Sequence, residues 1–292
     1  MKNIFSSVCA CAIGMTLLAG CQGNGGYGTT DSGLQYKIIV DKPGKSAAPG
    51  DFMRISLKKR VHDTAVLNAH HQKAEHRWIH LQKSLGRKYD VMEGLMLLTK
   101  GDSAEFKVPV DEVKGVESRP SFVEEGDVIH YFVKVLDIKN REDFESEMAK
   151  KEKKQNKIDA QIIQDYIDSL GVEARMTDEG VAVIVHKTGE GELLRDGQAV
   201  SVKYTGKTLE GRVFDSNEDS SFHHTDPLVF ELGGGMMIPG MESGMKLLKE
   251  GADAILIIPS SLAYGRRGRL PRIKPNEVLV FHVKVLDKKN AE

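Results

Sequence analysis

The residues with the clearest chemical potential lie in one short stretch, VKYTGKTLEGRVFDSN, which runs from Val202 to Asn217. It places Tyr204 at the end of an alternating apolar run and puts Phe214 and Asp215 directly after a turn. Burying a phenol and a carboxylate on an apolar strand face costs free energy unless the two groups pair. The stretch therefore predicts a polar pair inside an otherwise apolar pocket.

The segments around this stretch indicate a sheet that covers one short helix. Runs such as AVSVKY, LVFEL, AILII and VLVFHVKVL alternate like strands. The segment PGMESGMKLLKEG has helical period instead, with Met241, Met245 and Leu248 on one face. Pro239 suits the start of this helix and Gly251 its end. The pattern predicts an α+β domain whose antiparallel sheet wraps its apolar face around the helix.

The chain contains this domain twice. TDSGLQYKII from Thr30 returns as TDEGVAVIVH from Thr177, 147 residues later, and PGDFMRISLKK matches DGQAVSVKYTG at the same offset. VIHYFVKVLDIKN from Val128 shares eight of thirteen residues with VLVFHVKVLDKKN, 150 residues later. We therefore predict two related domains, residues 30–140 and 177–290.

The segment between the copies, residues 141–176, is predicted to be a helical connector. Its first half is charged and is expected to face solvent. Apolar residues recur along its second half at helical spacing: Ile158, Ile162, Ile163, Tyr166, Ile167 and Leu170. This stripe must pack on a domain or on a second copy of the chain, so a homodimer through the connector is one of the two options.

The composition excludes several classes of function. Among 292 residues, 41 are Lys or Arg and 42 are Asp or Glu, so no charge excess points to nucleic acid. The three cysteines, Cys9, Cys11 and Cys21, all lie near the N-terminus, and an exported chain would keep no free thiol for chemistry. No later apolar run approaches the roughly 20 residues of a membrane span.

The N-terminal residues predict export and lipid attachment. A short positive start, MKN, precedes the apolar stretch IFSSVCACAIGMTLLAG, which is the pattern of a secretory signal peptide. The ending LAGC resembles the bacterial lipobox, which implies cleavage before Cys21 and acylation of that cysteine. We predict a signal peptide over residues 1–20, a lipidated tether over 21–29 and a periplasmic location on the outer membrane, which Gln22 favours over inner-membrane retention. A plain signal peptide or a short membrane anchor is the alternative.

The second copy resembles the FKBP-type peptidyl-prolyl cis-trans isomerases. Four blocks in the family's order carry the resemblance between Gly197 and Lys288: VKYTGKTLEGRVFDSN, PLVFELG, MIPGMESGMKLLKEGADAILIIPSSLAYG and KPNEVLVFHVKVL. It implies two FKBP-like domains, each an antiparallel sheet wrapped around one short helix, with a half-open apolar pocket in the second. It also implies that catalysis requires no cofactor and no metal.

The resemblance further implies which residues form the pocket. The catalytic residues would be Tyr204, Asp215 and Tyr264: the Tyr264 hydroxyl and the Ile238 N–H hold the substrate carbonyl, and Asp215, bonded to Tyr204, orients it. The substrate-binding residues would be Phe214, Leu228, Phe230, Met237, Ile238, Met241, Ile273 and Phe281. The sequence departs from the family at Met241, where tryptophan is frequent, at Leu228, where an aromatic is common, and in a longer, more basic loop, RRGRLPRIKP. The phenylalanines would be core residues in almost any such sheet.

These residue types suit isomerisation without covalent chemistry. Rotation about a peptide bond breaks amide resonance and crosses a barrier of about 18–20 kcal/mol, and cis and trans lie close in energy only for X-Pro bonds. A dry apolar pocket disfavours the planar, more dipolar amide relative to the twisted one. We expect an isomerase that acts on proline-containing envelope proteins as they fold. The alternatives are a low-turnover chaperone that grips such segments and a structural or assembly lipoprotein.

The first copy keeps the scaffold and loses the polar groups of the pocket. At the positions of Tyr204, Phe214, Asp215, Tyr264 and Phe281, the two offsets place Leu57, Leu67, Asn68, Lys114 and Tyr131. We therefore predict a catalytically silent domain that serves as a spacer, a peptide-binding surface or a platform for a partner.

Two groups of polar residues give weaker signals. His76 and His80 would lie one turn apart on a helix, as metal ligands can, but no third ligand accompanies them, so a solvated insertion is favoured. His223 and His224 receive the same interpretation. The cations of the basic loop are expected to be solvated, to steer acidic segments or to touch lipid headgroups: Arg266, Arg267, Arg269, Arg272 and Lys274.

Overall fold

In the computed structural model the chain divides into two compact units, Met1–Ser146 and Glu147–Glu292. The structure describes residues 26–62, 65–66, 77–113 and 122–286. Several predictions fall outside these residues, namely those for the signal peptide, Cys21, most of the tether, Leu67, Asn68, His76 and Lys114.

The first unit contains a seven-stranded antiparallel sheet and one short helix. Its elements are β1 (Gly28–Thr29), β2 (Gln35–Val40), β3 (Phe52–Val61), β4 (Ala65–Val66), β5 (Arg77–His80), α1 (Val91–Met96), β6 (Ser103–Pro109) and β7 (Val128–Lys139). The strand order is β1-β2-β6-β7-β3-β4, and β5 pairs with β3. Leu95 of α1 and Phe106 of β6 belong to one buried cluster, so the sheet covers the helix.

A helix of 30 residues, α2 (Arg141–Leu170), leads into the second unit. The elements of that unit are β8 (Arg175–Met176), β9 (Ala182–Lys187), β10 (Glu190–Leu193), β11 (Ala199–Thr208), β12 (Val213–Ser216), β13 (Leu228–Glu231), α3 (Pro239–Met245), β14 (Lys249–Glu250), β15 (Asp253–Ile258) and β16 (Leu279–Val285). Their main sheet has the order β12-β11-β16-β15-β9-β8, with β13 paired to β11, while β10 and β14 form a separate ribbon.

The two sheets have the same topology, which confirms the predicted α+β class and the repeated fold. Strand registers agree with the sequence offsets: Leu57 pairs with Val133 in the first unit, and Tyr204 pairs with Val283 in the second. Each strand of the first sheet therefore has a counterpart in the second.

Three predicted boundaries are wrong. The helix α3 ends at Met245 instead of running on towards Gly251, because Lys249 and Glu250 pair with β10 as a strand. The second unit includes β8, which lies within the predicted connector, because Arg175–Met176 pairs with β9. The predicted tether ends before Tyr27, whose hydroxyl donates to Glu105 over 2.8 Å as β1 begins.

The connector helix is part of the second unit's core. Its buried residues are Asp159, Ile163 and Ile167, whereas the predicted stripe residues Ile158 and Leu170 are exposed. Ile163 and Ile167 pack against a cluster that includes Ala182, Ile184, Ile257, Val278 and Val280. These residues alternate along their strands with those that face α3, so the sheet is buried on both faces. The second unit thus covers the part of the stripe formed by Ile163 and Ile167, whereas Ile158 and Leu170 stay exposed.

No helix among the described residues combines the length and the apolar character that spanning a membrane requires.

One carboxylate joins α2 to the loop that carries Tyr264. Asp159 is fully buried, and its Oδ2 accepts hydrogen bonds from the Ser260 N–H, over 2.8 Å, and from the Ser260 hydroxyl, over 2.6 Å. Its Oδ1 accepts a further bond from Gln155, over 2.7 Å. A buried charge is tolerated when hydrogen bonds replace its hydration, as they do here.

We predict that Asp159→Ala destabilises the second unit, because two buried donors of Ser260 lose their acceptor. Unsatisfied buried donors cost about 1–3 kcal/mol each, so the free energy of unfolding should fall by about 2–3 kcal/mol. Urea unfolding followed by far-UV circular dichroism measures this, while fluorescence of Trp78, the one tryptophan of the chain, reports on the first unit. Asp165→Ala, at an exposed carboxylate on the same helix, is the control. Equal effects of the two substitutions would contradict the prediction.

Candidate functional site

The polar centre of the candidate site is a hydrogen bond between neighbouring strands. The hydroxyl of Tyr204, on β11, donates to Oδ2 of Asp215, on β12, over 3.0 Å. Burial raises the pKa of Tyr204, and the Asp215 carboxylate raises it further, so the phenol stays protonated and keeps its donor role. Tyr204 is 9% exposed, whereas the Asp215 side chain is 32% exposed. The pair therefore joins the buried interior to the rim of the site.

A histidine that the sequence analysis treated as solvated completes this group. His224 Nε2 lies 3.0 Å from Oδ1 of Asp215, so the carboxylate has a partner on each oxygen. The His224 side chain is 48% exposed, in keeping with the predicted polar loop, but it also has a specific partner in Asp215. No local signal in the sequence indicates this contact, because the loop after β12 must fold back before His224 reaches Asp215.

A buried asparagine makes the loop fold back. Asn217 is 1% exposed, and its Oδ1 accepts from the Tyr204 N–H over 2.6 Å. Its Nδ2 donates to the carbonyls of Val202 and Asp226, over 3.0 and 3.1 Å. This side chain thus fixes β11, the end of the hairpin and the far end of the loop to one another. No local signal in the sequence marks Asn217 for this role, since asparagine after a strand is ordinarily a turn residue.

Two phenylalanines pack beside the polar pair. The ring of Phe281 is 5.6 Å from that of Phe214, in an edge-on arrangement, and 6.2 Å from that of Tyr204. Gly206 lies beneath them, and a Cβ there would approach ring atoms of Phe214 to 2.7 Å and of Phe281 to 2.8 Å. The rings can take these positions only because residue 206 has no side chain.

The remaining predicted pocket residues gather in the same cluster. Phe230, Met241 and Ile273 are at most 3% exposed, and they belong to the buried cluster that contains Tyr204, Phe214 and Phe281. Leu228, Met237, Ile238 and Tyr264 are partly buried and pack against it. The structure therefore brings together every residue that the resemblance assigned to the pocket. The buried members form its walls, and the partly buried ones can meet a ligand.

Two donors of this group are available to a ligand. The helix α3 begins at Pro239, with Ile238 as its N-cap, so the Ile238 N–H takes no part in the helix. Tyr264 lies between two short turns, Ser260–Leu262 and Gly265–Arg267. Among the described residues its hydroxyl has no hydrogen-bond partner. A phenol and a backbone amide can together hold one carbonyl oxygen.

The basic loop borders the site. Arg272 donates to the carbonyl oxygen of Phe214 over 3.0 Å, and the Arg269 guanidinium lies 5.9 Å from the centre of the Tyr264 ring. Arg266 contacts Met148 Sδ, on α2, at 2.6 Å. Side chains of this loop thus contact two of the predicted site residues, Phe214 and Tyr264.

The corresponding place in the first unit is occupied differently. The residue that matches Gly206 is Lys59, whose Nζ lies 5.0 Å from the centre of the Tyr131 ring. Leu57 stands at the position of Tyr204 and packs against the core. Burial raises the pKa of Tyr131. A lysine therefore stands at the position where Gly206 lets the rings of Phe214 and Phe281 pack closely in the second unit, and the offset of 147 residues identifies it in the sequence.

The geometry offers no metal centre in the part of the chain that the structure describes. No three His, Cys, Asp or Glu side chains there are close enough to hold an ion. His80 lies on strand β5, so the helical spacing considered for His76 and His80 is wrong. What the site can do is bind an apolar group next to a carbonyl through neutral donors and one carboxylate.

We predict that Gly206→Ala disturbs the site, because the added Cβ forces Phe214 and Phe281 apart. Overpacking of this kind costs about 1–3 kcal/mol, which the urea unfolding of the second unit followed by circular dichroism would measure. Lys207→Ala, one residue along β11 on its other face, should change the free energy of unfolding by less than about 0.5 kcal/mol. If Gly206→Ala were as stable as Lys207→Ala, the rings would not be held as described.

Comparisons with known proteins match the second unit. Residues 190–286 match the family of FKBP-type peptidyl-prolyl cis-trans isomerases. The isomerase FkpA of Escherichia coli (strain K12) is 39% identical over 117 residues, which cover 40% of this chain and 41% of the relative. FkpA of Buchnera aphidicola is 35% identical over 146 residues, which cover 49% of this chain and 54% of the relative. The chain thus aligns with about half the length, or less, of these relatives.

A solved structure extends the same comparison. The crystal structure of FkpA from Escherichia coli aligns with 50% of this chain and 68% of its own at 34% sequence identity, with a TM-score of 0.37. The second unit thus contains a domain of the FKBP-type peptidyl-prolyl cis-trans isomerase family.

Proposed function

We propose that the protein is a peptidyl-prolyl cis-trans isomerase whose activity resides in the second unit. The observation that carries this proposal is the arrangement around Tyr204 and Asp215, a hydrogen-bonded polar pair at the edge of a cluster of apolar and aromatic side chains. The substrates are X-Pro bonds in exported proteins that are folding, a step that otherwise takes tens of seconds or longer.

Catalysis by this site rests on differential stabilisation of the twisted amide. The proline ring packs among Phe214, Phe281 and Ile273, where few water molecules can solvate the planar, more dipolar ground state. The twisted amide loses less solvation on entering the site, because its dipole is smaller. No covalent bond forms, and no proton needs to be transferred.

The polar groups orient the substrate in this mechanism. The Tyr264 hydroxyl and the Ile238 N–H donate to the substrate carbonyl. Asp215 supplies a fixed negative charge beside the reacting bond, held by Tyr204 on one oxygen and by His224 on the other. Because both partners restrain the carboxylate, little reorganisation is required when the amide rotates.

The first unit has a different role in this proposal. Lys59 and Leu57 replace Gly206 and Tyr204 there, so the unit has neither the glycine that admits the aromatic rings nor the phenol of the second. It serves as a spacer or as a surface that holds a client segment. A holding role of the first unit suits the second candidate function, a low-turnover chaperone. Met241 and Leu228 in the second unit support that function, because they make the pocket softer than aromatic residues would.

We predict that wild-type protein accelerates exchange of an X-Pro peptide and that Asp215→Ala and Tyr264→Phe each slow it. Losing one interaction specific to the transition state costs about 1.4 kcal/mol, so kcat/KM should fall by about tenfold in each variant. Exchange spectroscopy by NMR measures the rate directly. Tyr131→Phe is the matched control, since it removes a hydroxyl from the equivalent region of the first unit, and it should leave the rate unchanged.

Two outcomes would count against the proposal. Absence of acceleration by the wild-type chain would exclude the isomerase, and retained suppression of client aggregation would then favour the chaperone. Substantial activity in an Asp215→Ala/Tyr264→Phe double variant would count against catalytic roles for these two residues.

The location in this proposal is the cell envelope, with the protein anchored by a lipid on Cys21 at the periplasmic face of the outer membrane. The lipobox-like ending LAGC supports it.

We predict that cells expressing the protein incorporate labelled palmitate into it, and that Cys21→Ser abolishes the label and releases the protein from the membrane fraction. Equal labelling of both forms would rule out Cys21 as the acylated residue.

A further inference from the structure

We propose that the basic loop selects substrates that carry a carboxylate side chain within two residues of the proline, with Arg269 as the main determinant. This rests on the proposed isomerase function and names the substrate class for that site.

The position of Arg269 connects its charge with the site. Its guanidinium lies 5.9 Å from the centre of the Tyr264 ring, and Tyr264 is the residue whose hydroxyl meets the substrate carbonyl. The charge also acts on Tyr204, where it opposes the rise in that phenol's pKa caused by burial and by Asp215. Arg269 therefore lies over the Tyr264 ring, and its charge also acts on Tyr204.

The backbone of the basic loop is held in place beside the site. The backbone of Arg269 pairs with that of Ile273 in an antiparallel β-bridge, and the Asn276 N–H donates to the Gly265 carbonyl over 2.9 Å. The loop therefore closes on itself. Arg272 secures it to β12 through the Phe214 carbonyl, over 3.0 Å. Because the loop is already anchored, its cations lie beside the site without a rearrangement of the loop backbone when a ligand binds.

The cations nearest the site have no acidic partner in this structure. Within the described residues, no carboxylate oxygen lies within 4.0 Å of Arg266, Arg267 or Arg269, and all three side chains are exposed. Acidic groups of the region are already paired, Asp215 with His224 and Tyr204, and Glu210 with Lys274. A carboxylate on the substrate would thus find unpaired cations beside the site.

The geometry favours a peptide over a lipid surface. An extended chain advances about 3.3–3.6 Å per residue. One or two residues of a bound peptide therefore span a distance similar to the 5.9 Å between the Arg269 guanidinium and the centre of the Tyr264 ring. Leu270, 56% exposed, stands between Arg269 and Arg272 and offers an apolar contact to the same segment.

The test compares capped peptides that differ only in Glu or Gln, placed either after the proline or two residues before it. With the full chain in dilute buffer, at least one Glu peptide should show kcat/KM about threefold above its Gln partner, as expected for a single exposed ion pair. The preference should shrink in 0.5 M salt, because screening weakens interactions between exposed charges. Arg269→Gln should bring the ratio close to one, and Arg269→Lys should retain most of it.

Lys187→Gln, at an exposed lysine on β9, has the same change in net charge and should leave the ratio unchanged. Acceleration of Glu and Gln peptides to the same extent would overturn the inference while leaving the isomerase intact. Absence of acceleration for all peptides would instead reject the isomerase itself. If Arg269→Gln left the ratio unchanged but weakened binding to phosphatidylglycerol vesicles, the loop would be a lipid contact and the inference would be wrong.

Discussion

The second unit is organised around a polar pair that an apolar strand face must accommodate. Tyr204 and Asp215 can lie there because they bond to each other and because His224 occupies the second carboxylate oxygen. That arrangement depends on Asn217, which anchors the hairpin and its loop by three hydrogen bonds of its side chain. It depends equally on Gly206, whose missing side chain gives Phe214 and Phe281 their positions. A change at any of these residues would alter the environment of the carboxylate.

The first unit shows what the scaffold requires without that pair. It has the same strand order and the same registers, with a leucine in place of Tyr204 and a lysine in place of Gly206. Neither the fold nor the core therefore needs a tyrosine, a carboxylate or a glycine at these positions. Their presence in one unit only is the reason to assign them to binding and catalysis.

The connector helix has a structural role beyond joining the two units. Its second half covers one face of the second sheet through Ile163 and Ile167, and Asp159 holds Ser260 at the start of the segment that leads to Tyr264. The opposite face of the same sheet packs on α3. The residues of the site thus stand on a sheet that is fixed from both sides, which suits a mechanism in which prearranged groups act on a rotating amide.

Local patterns in the sequence determined the fold class, the number of domains and the set of pocket residues. Strand alternation, the period of α3 and the internal repeat were enough for the α+β class and for two domains, because these features depend on spacing along the chain. The resemblance of four sequence blocks supplied the set of pocket residues. The offset of 147 residues further identifies Lys59 as the counterpart of Gly206.

Only the tertiary structure decided the remaining features. The end of α3 at Met245 follows from pairing between β10 and β14, and the buried side of α2 depends on the sheet that covers it, so helical periodicity could not give either. The contacts of His224 with Asp215 and of Arg269 with Tyr264 join residues on loops whose paths no local pattern specifies. Such loops are positioned by hydrogen bonds to distant strands, as Asn217 and Arg272 illustrate, and those bonds exist only once the sheet has formed.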